Sequence, residues 1–307
     1  MTTIDPERGI HLCGVTKSFG DNTVLRGVTA DLPAGRIYGL LGANGVGKTT
    51  LMSLICGHSF RSGGTILIDG QDPTENAAVL ENLCFVHEDQ RYNDNFTIAH
   101  ILAIMPAFYP HWSEQTAQRL IRAFRLPMKT KSKKLSRGQR SALAITLSLA
   151  SRAAYTFLDE PYLGLDATSR TLFYEELLRE YAAHPRTFIL STHLIDEAAE
   201  LMEVVLILDD GVVAVHTDVD EARRSSFIVR GRAPEVRSLI GDREVLAERS
   251  MGAVVSATVR GHVTDDDRYA AHRDHLSLED ASLQEYVAAI GIHSLTHDSH
   301  APAKDVA

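Results

Sequence analysis

The stretch Gly42 to Thr50, reading Gly-Ala-Asn-Gly-Val-Gly-Lys-Thr-Thr, restricts this chain more than any other. It satisfies G-x-x-x-x-G-K-[ST] from Gly42 to Thr49. It also stands between an apolar run, Ile37 to Leu41, and the apolar residues Leu51, Met52, Leu54 and Ile55. A buried strand, a glycine loop and a helix are expected in that order. Glycines at 42, 45 and 47 let the backbone curl until several N–H groups point inward, and the helix that follows adds its positive end. Such a loop, with Asn44 and Thr50 completing it, binds a polyphosphate largely by main chain. Lys48 supplies a mobile charge for the outer phosphates, and the Thr49 hydroxyl is placed for a magnesium ion.

Downstream, Ala153 to Leu158 reads as a buried strand whose exit carries Asp159-Glu160-Pro161. Side chains alternate along a strand, so one carboxylate can hold magnesium while its neighbour faces a nucleophile. That suits metal-assisted attack of water on a phosphoryl group, with Glu160 the candidate base. Two acids capping the next helix is the competing structural reading. Thr187 to Leu190 forms another strand, ending at Ser191-Thr192-His193, where a histidine can contact a phosphate oxygen or serve structurally. Leu83 to Val86 is a short strand that runs into His87, Glu88, Asp89 and Gln90, polar groups placed to touch the metal or the attacking water.

The rest of the chain is arranged around these strand exits. Residues 10 to 32 alternate and turn at Gly20-Asp21-Asn22, giving a small β layer. Phe19, at its bend, can stack on a nucleobase or pack in the layer's own core. Residues 97 to 127 change to a helical period, with Ala117, Leu120, Ile121 and Phe124 on one face, Ser113 as cap and Pro127 at the close. The lysines at 129, 131, 133 and 134 read as a solvated loop. Leu135-Ser136-Arg137-Gly138-Gln139 then opens a long helix. Gly164-Leu165-Asp166 makes a turn before a helix carrying Phe173, Leu177 and Tyr181, and residues 204 to 215 form a hairpin about Asp209-Asp210-Gly211.

Composition excludes some functions. At 307 residues the chain holds one large domain and a smaller one, and 44% hydrophobic with 23% charged residues is ordinary for a globular protein. A formal net charge of -9 argues against wrapping nucleic acid. The first residues lack the pattern of a signal peptide, and no run approaches the roughly 18 apolar residues of a membrane span. A cytoplasmic chain is expected, with any membrane role depending on a partner. Cys13, Cys56 and Cys84 lack metal or disulfide spacing and are expected to be small core residues.

Taken together, these residues resemble the nucleotide-binding subunit of an ABC transporter over roughly residues 8 to 216. Phe19 matches the adenine-stacking aromatic, and residues 42 to 50 match the phosphate loop. Leu-Ser-Arg-Gly-Gln at 135 to 139 resembles the signature LSGGQ, and Phe-Leu-Asp-Glu-Pro at 157 to 161 the Walker B strand. Gly164-Leu165-Asp166 resembles the D-loop and Ser191-Thr192-His193 the switch histidine. The signature-like element discriminates, because other P-loop enzymes lack it. Two positions depart from the pattern: Arg137 replaces the third signature residue, usually glycine, and the family's glutamine after the strand at 83 aligns best with Glu88, with Gln90 close by.

The resemblance implies an α/β P-loop NTPase fold: an N-terminal antiparallel β subdomain, a parallel-sheet core and a helical subdomain about 91–150; beyond it, where the match is weak, Phe227, Ile228 and Val229, then Val254, Val255 and Ala257, read as strands of a small α+β domain at 217–290. The last helix is expected to open at Ser277-Leu278-Glu279-Asp280, as in drug-efflux and antibiotic-export ATPases, and residues 291–307, with His293, His297 and His300, are expected to form a disordered tail. The implied cofactors are ATP and Mg2+. Glu160 and His193 are the implied catalytic pair, with Thr49, Asp159 and Glu88 at the metal. Ser136, Gly138, Gln139 and Asp166 join Phe19 and the loop residues around the nucleotide. The implied partners are a second ATPase subunit, identical or different, and a separate multi-span permease, which would place the chain at the inner face of the cell membrane. Two ATP molecules would lie between paired subunits, each covered by the other's signature helix. The expected function is ATP hydrolysis that drives transport, with export favoured by analogy. The alternative is a soluble ABC machine acting on ribosomes or DNA, against which stand the single phosphate loop and the compact insert before Ser136.

Overall fold

The computed structural model describes residues 8–87 and 90–298, with the backbone alone for 294–298. Two antiparallel strands open the fold, β1 (Gly9–Phe19) and β2 (Asn22–Pro33). Ile10 and Leu12 of the first and Val28, Ala30 and Leu32 of the second are buried at alternate positions, the period expected of a half-covered sheet, and Val15 is buried beyond a register shift after Leu12. β3 (Ile37–Leu41) and α1 (Lys48–Ile55) follow, and β4 (Gly63–Ile68) returns to pair with β1 in the order β2-β1-β4.

After α2 (Ala77–Leu80) and β5 (Leu83–Val86) comes a helical layer of α3 (Ile98–Ile104), α4 (Glu114–Ala123) and α5 (Arg137–Ser151). Thr97, Ser113 and Ser136 cap these helices, each side-chain oxygen accepting a backbone N–H that would otherwise be unpaired. Ala117 and Ile121 of α4 pack with Leu143 and Leu147 of α5. The chain then alternates through β6 (Tyr155–Asp159), α6 (Ala167–Ala183), β7 (Thr187–Ser191), α7 (Ile195–Ala198), β8 (Val204–Asp209) and β9 (Val212–Asp218). Arg119 of α4 ties the helical layer to α6, its Nε 2.8 Å from Glu176 Oε2 and a terminal nitrogen 2.6 Å from Glu180 Oε1.

The central sheet runs β5-β6-β7-β3-β8-β9, parallel except for β9. Every residue of β3, β6 and β7 is buried, as strands covered on both faces require. Within it β7 lies between β6 and β3, with Ser191 level with both Asp159 and Leu40. Three carboxyl ends, remote in sequence, are therefore adjacent.

Beyond α8 (Val219–Arg224), a second antiparallel sheet is built from β10 (Ser226–Arg232), β11 (Val245–Met251), β12 (Val254–Arg260) and β13 (Ser277–Asp280), in the order β11-β12-β10-β13. α9 (Ala233–Ile240) and α10 (Asp265–Arg273) connect its strands. Phe227, Val229, Val236, Ile240, Val255, Ala257 and Val259 form its core.

Three expectations change. Residues 277–280 do not open the last helix: they pair with β10 as a strand, satisfying its open edge, and α11 (Leu283–Asp298) starts after Ser282, which exchanges hydrogen bonds with Glu285. Residues 291–298, expected to belong to a disordered tail, instead continue α11 past Ile290, which is 7% exposed, and His293 Nε2 lies 3.6 Å from Glu244 Oε1. The His297 side chain and His300 lie outside the described residues. Cys13 is exposed rather than in the core, whereas Cys56 and Cys84 are buried. Among the described residues no helix is long and apolar enough to cross a membrane.

Candidate active site

The loop after β3 has the conformation its glycines permit. Gly42, Gly45 and Gly47 all have positive φ. A Cβ at Gly42 would stand 2.3 Å from the Leu208 carbonyl oxygen, and one at Gly47 2.6 Å from Leu25 Cδ2, so neither position accepts a side chain. Lys48 begins α1 and turns back into the loop, donating to the carbonyl oxygens of Gly42 at 2.8 Å and Ala43 at 3.0 Å. Burial lowers its pKa, an effect opposed by the nearby carboxylates of Glu160 and Asp159.

Asp159, 6% exposed, closes β6. Its Oδ2 accepts from the Thr49 hydroxyl at 2.5 Å, and its Oδ1 accepts from Ser191 at the end of β7. Glu160 takes a left-handed backbone with φ 48. Its Oε2 accepts from the Tyr162 hydroxyl at 3.0 Å and lies 2.7 Å from His193 Nδ1. The Tyr162 hydroxyl also meets Thr192 Oγ1, and burial together with the Glu160 charge keeps that phenol from ionising.

These groups surround an open cavity of about 590 Å³ bordered by Asn44, Gly45, Gly47, Lys48, Thr49, Thr50, Asp159, Glu160 and His193. Arg137 borders it too, its stem against Gly164, although it belongs to the first turn of α5. A smaller cavity of about 140 Å³, bordered by Gln90, Arg137, Arg140 and Glu160, adjoins Glu160 from the side of β5. The Gln90 side-chain oxygen is buried there without a hydrogen-bond partner. Glu88, assigned to the metal from the sequence, lies outside the described residues.

Other expected site residues lie elsewhere. Phe19 is 56% exposed at the end of β1, with Lys17 Nζ 4.6 Å from its ring centroid, so it does not fill the β layer's core. Ser136 and Gln139 cap each other: Ser136 Oγ accepts from the Gln139 N–H at 3.2 Å, and Gln139 Oε1 accepts from the Ser136 N–H at 3.1 Å. A Cβ on Gly138 would meet the Gly164 carbonyl oxygen at 2.6 Å, so a glycine lets α5 approach that loop. Asp166 caps α6, and the Ser169 N–H it accepts at 2.8 Å lowers its pKa. None of these five borders the 590 Å³ cavity.

The sequence reading missed Tyr162 and Ser191 as partners of the two carboxylates. For Tyr162 the available signal was a hydroxyl two residues after Glu160. Ser191 became relevant only once β7 was known to lie beside β6.

The arrangement is similar to proteins of known family. A family model described as ABC transporter matches residues 25–163. Over 214 residues the chain is 30% identical to ABC transporter ATP-binding protein YtrB of Bacillus subtilis (strain 168), covering 70% of this chain and 73% of that protein. Over 259 residues it is 27% identical to Nod factor export ATP-binding protein I of Paraburkholderia xenovorans (strain LB400), covering 82% and 83%. Relatives named for import also occur. A solved structure described as the ATP binding subunit of an ABC transporter superposes with a TM-score of 0.63 at 24% identity, over 70% of this chain and 92% of that one, and shows the same fold.

Proposed function

The chain belongs to the family of ABC transporter ATP-binding proteins, which hydrolyse ATP, and from that premise we propose that it drives export through a separate membrane-spanning permease. The observation that carries the site assignment is the meeting of three strand ends: the glycine loop after β3, Asp159-Glu160 after β6 and His193 after β7. We assign the phosphates of ATP to the backbone N–H groups from Gly42 to Thr50, with Lys48 exchanging its two carbonyl partners for phosphate oxygens. Thr49 Oγ1 and Asp159 Oδ2, hard oxygen donors side by side beneath the loop, suit magnesium, which prefers octahedral oxygen ligands. Bound between them and the nucleotide, the ion would neutralise charge on the outer phosphates.

Glu160 then acts as general base, taking a proton from the attacking water, while His193 and Tyr162 hold its Oε2 in place. Phe19, exposed at the end of β1, is read as the platform for the adenine ring. Ser136, Gly138, Gln139 and Asp166 do not border the chain's own phosphate cavity. They are assigned to a nucleotide held by a second ATPase subunit, reached by the N-terminus of α5. Export is supported by the 259-residue alignment with an export protein, which extends beyond a cassette-sized match.

Glu160→Gln with ATP and magnesium tests the assembly. Analytical ultracentrifugation is expected to show a nucleotide-dependent dimer that does not turn over, and a monomer at high concentration would refute it. Purification from membranes should recover a multi-span protein with the chain; recovery with ribosomes would count against the permease.

A further inference from the structure

A second cavity lies at the other end of the central sheet, where β6 and β7 begin and β3 is approached. It encloses about 870 Å³ among Arg8, Trp112, Arg152, Tyr155, His184 and Arg186, with His111 at its rim. Among the described residues no carboxylate borders it, although the chain carries a formal net charge of -9.

Its cationic wall is backed by an ion-pair network with too few acids. Arg119 and Arg179 pair with Glu176, and Arg119 pairs with Glu180 as well. Arg152 Nε lies 3.5 Å from Glu180 Oε2, and Arg186 lies 4.0 Å from the same oxygen. Four guanidiniums thus share two carboxylates, and the two least compensated, Arg152 and Arg186, are the ones that border the cavity. Arg186 is 6% exposed, donates to the carbonyls of Leu149 and His184 and lies 4.7 Å from the Phe188 ring centroid; its Nε, that of Arg152 and Glu180 Oε2 are all buried without a hydrogen-bond partner, so the one oxygen both arginines share is too distant to satisfy either. Desolvation brings Arg186 down to about 10 against the attraction of Glu180, which marks a buried cation short of negative charge. Buried charge without compensation is costly, and an anion in the cavity would relieve it.

We propose that this cavity binds a compact polyanion bearing phosphate or carboxylate groups, held by Arg152 and Arg186 at its back and by Arg8 and His184 at its mouth. Arginine forks suit both oxyanions, and the site is independent of the nucleotide assignment made above.

Trp112 is the single tryptophan of the chain and borders the cavity, so tryptophan emission carries a signal from this site. The test titrates full-length Lys48→Ala protein, weakened at the phosphate loop, with inorganic pyrophosphate and separately with citrate at constant ionic strength. A saturating change in Trp112 emission is expected with at least one anion, the lower midpoint naming the preferred oxyanion. The exposed pair Arg8→Ala and His184→Ala, which leaves the core untouched, should raise that midpoint roughly tenfold or more, as should Arg152→Gln. A response that never saturates with either anion, or a midpoint unchanged in both variants, would overturn the site.

Discussion

His193 Nδ1 lies 2.7 Å from Glu160 Oε2, across the carboxyl ends of the neighbouring strands β7 and β6. The same oxygen accepts from Tyr162, whose ring is 2% exposed and therefore fixed by the core. Tyr162→Phe keeps that packing and removes only the hydroxyl, and Thr192 Oγ1 still accepts from the Leu194 N–H. The phosphate-release rate is expected to fall roughly tenfold from loss of one hydrogen bond to a charged group, with KM for ATP unchanged. A raised KM with an unchanged maximal rate would contradict a role in positioning the base.

Lys48→Ala removes the tie to the Gly42 and Ala43 carbonyls and, on the proposed assignment, the charge offered to the outer phosphates. Titration with a fluorescent ATP analogue should show affinity weakened by about tenfold or more, the scale of a charge-assisted contact. Affinity equal to the unaltered protein would remove the loop from the nucleotide site.

Gly138→Ala sets two effects against each other. Alanine gains about 1 kcal/mol in helix propensity, but its Cβ would stand 2.6 Å from the Gly164 carbonyl oxygen, a backbone atom that moves only with its loop. Overpacking of this kind costs about 1–3 kcal/mol, so the clash is expected to win and urea unfolding to shift to lower concentration. ATP hydrolysis should fall as well, because the displaced loop leads back to Glu160. A stabilised variant with full activity would mean that α5 has room the structure does not show.

Glu180, 2% exposed, joins the helical layer to α6 through Arg119 at 2.6 Å and Thr116 at 2.8 Å. Burial pushes its carboxyl up, but those bonds and the Arg152 and Arg119 charges outweigh it and hold the pKa below the ordinary 4.5. A depressed carboxyl contributes stability that is present above pH 4.5 and lost as pH falls through the folded value. Glu180→Gln leaves three arginines facing one fewer charge and is expected to cost about 3 kcal/mol at neutral pH. It should also flatten the acid limb of a thermal-unfolding series. An unchanged acid limb would show that Glu180 does not govern it.

The residues easiest to read were those whose chemistry needs a local spacing. Gly42, Gly47 and Lys48 lie within seven residues, at the loop and the start of α1, and Ser113 caps α4 by a bond three residues long, so neither needed knowledge of distant chain. Ser277 to Asp280 misled for the opposite reason: a capping-like tetrad became a strand because β10 offered an unpaired edge. The few apolar residues of α10 gave too weak a period to mark that helix, whereas α9 carries Val236, Leu239 and Ile240 at helical spacing and was legible but unread.

From the order of residues alone came the phosphate loop, the paired acids, the histidine after its strand and the signature-like helix start, because each rests on chemistry within a few bonds of the backbone. Tertiary structure decided which of them meet. Placing β7 between β6 and β3 brought Ser191 to Asp159 and His193 to Glu160 while leaving Ser136 and Gln139 to cap each other, and turned Arg137 toward the chain's own loop. Those outcomes depend on strand order and helix packing, which are set by burial of apolar faces across the whole fold rather than by any short motif.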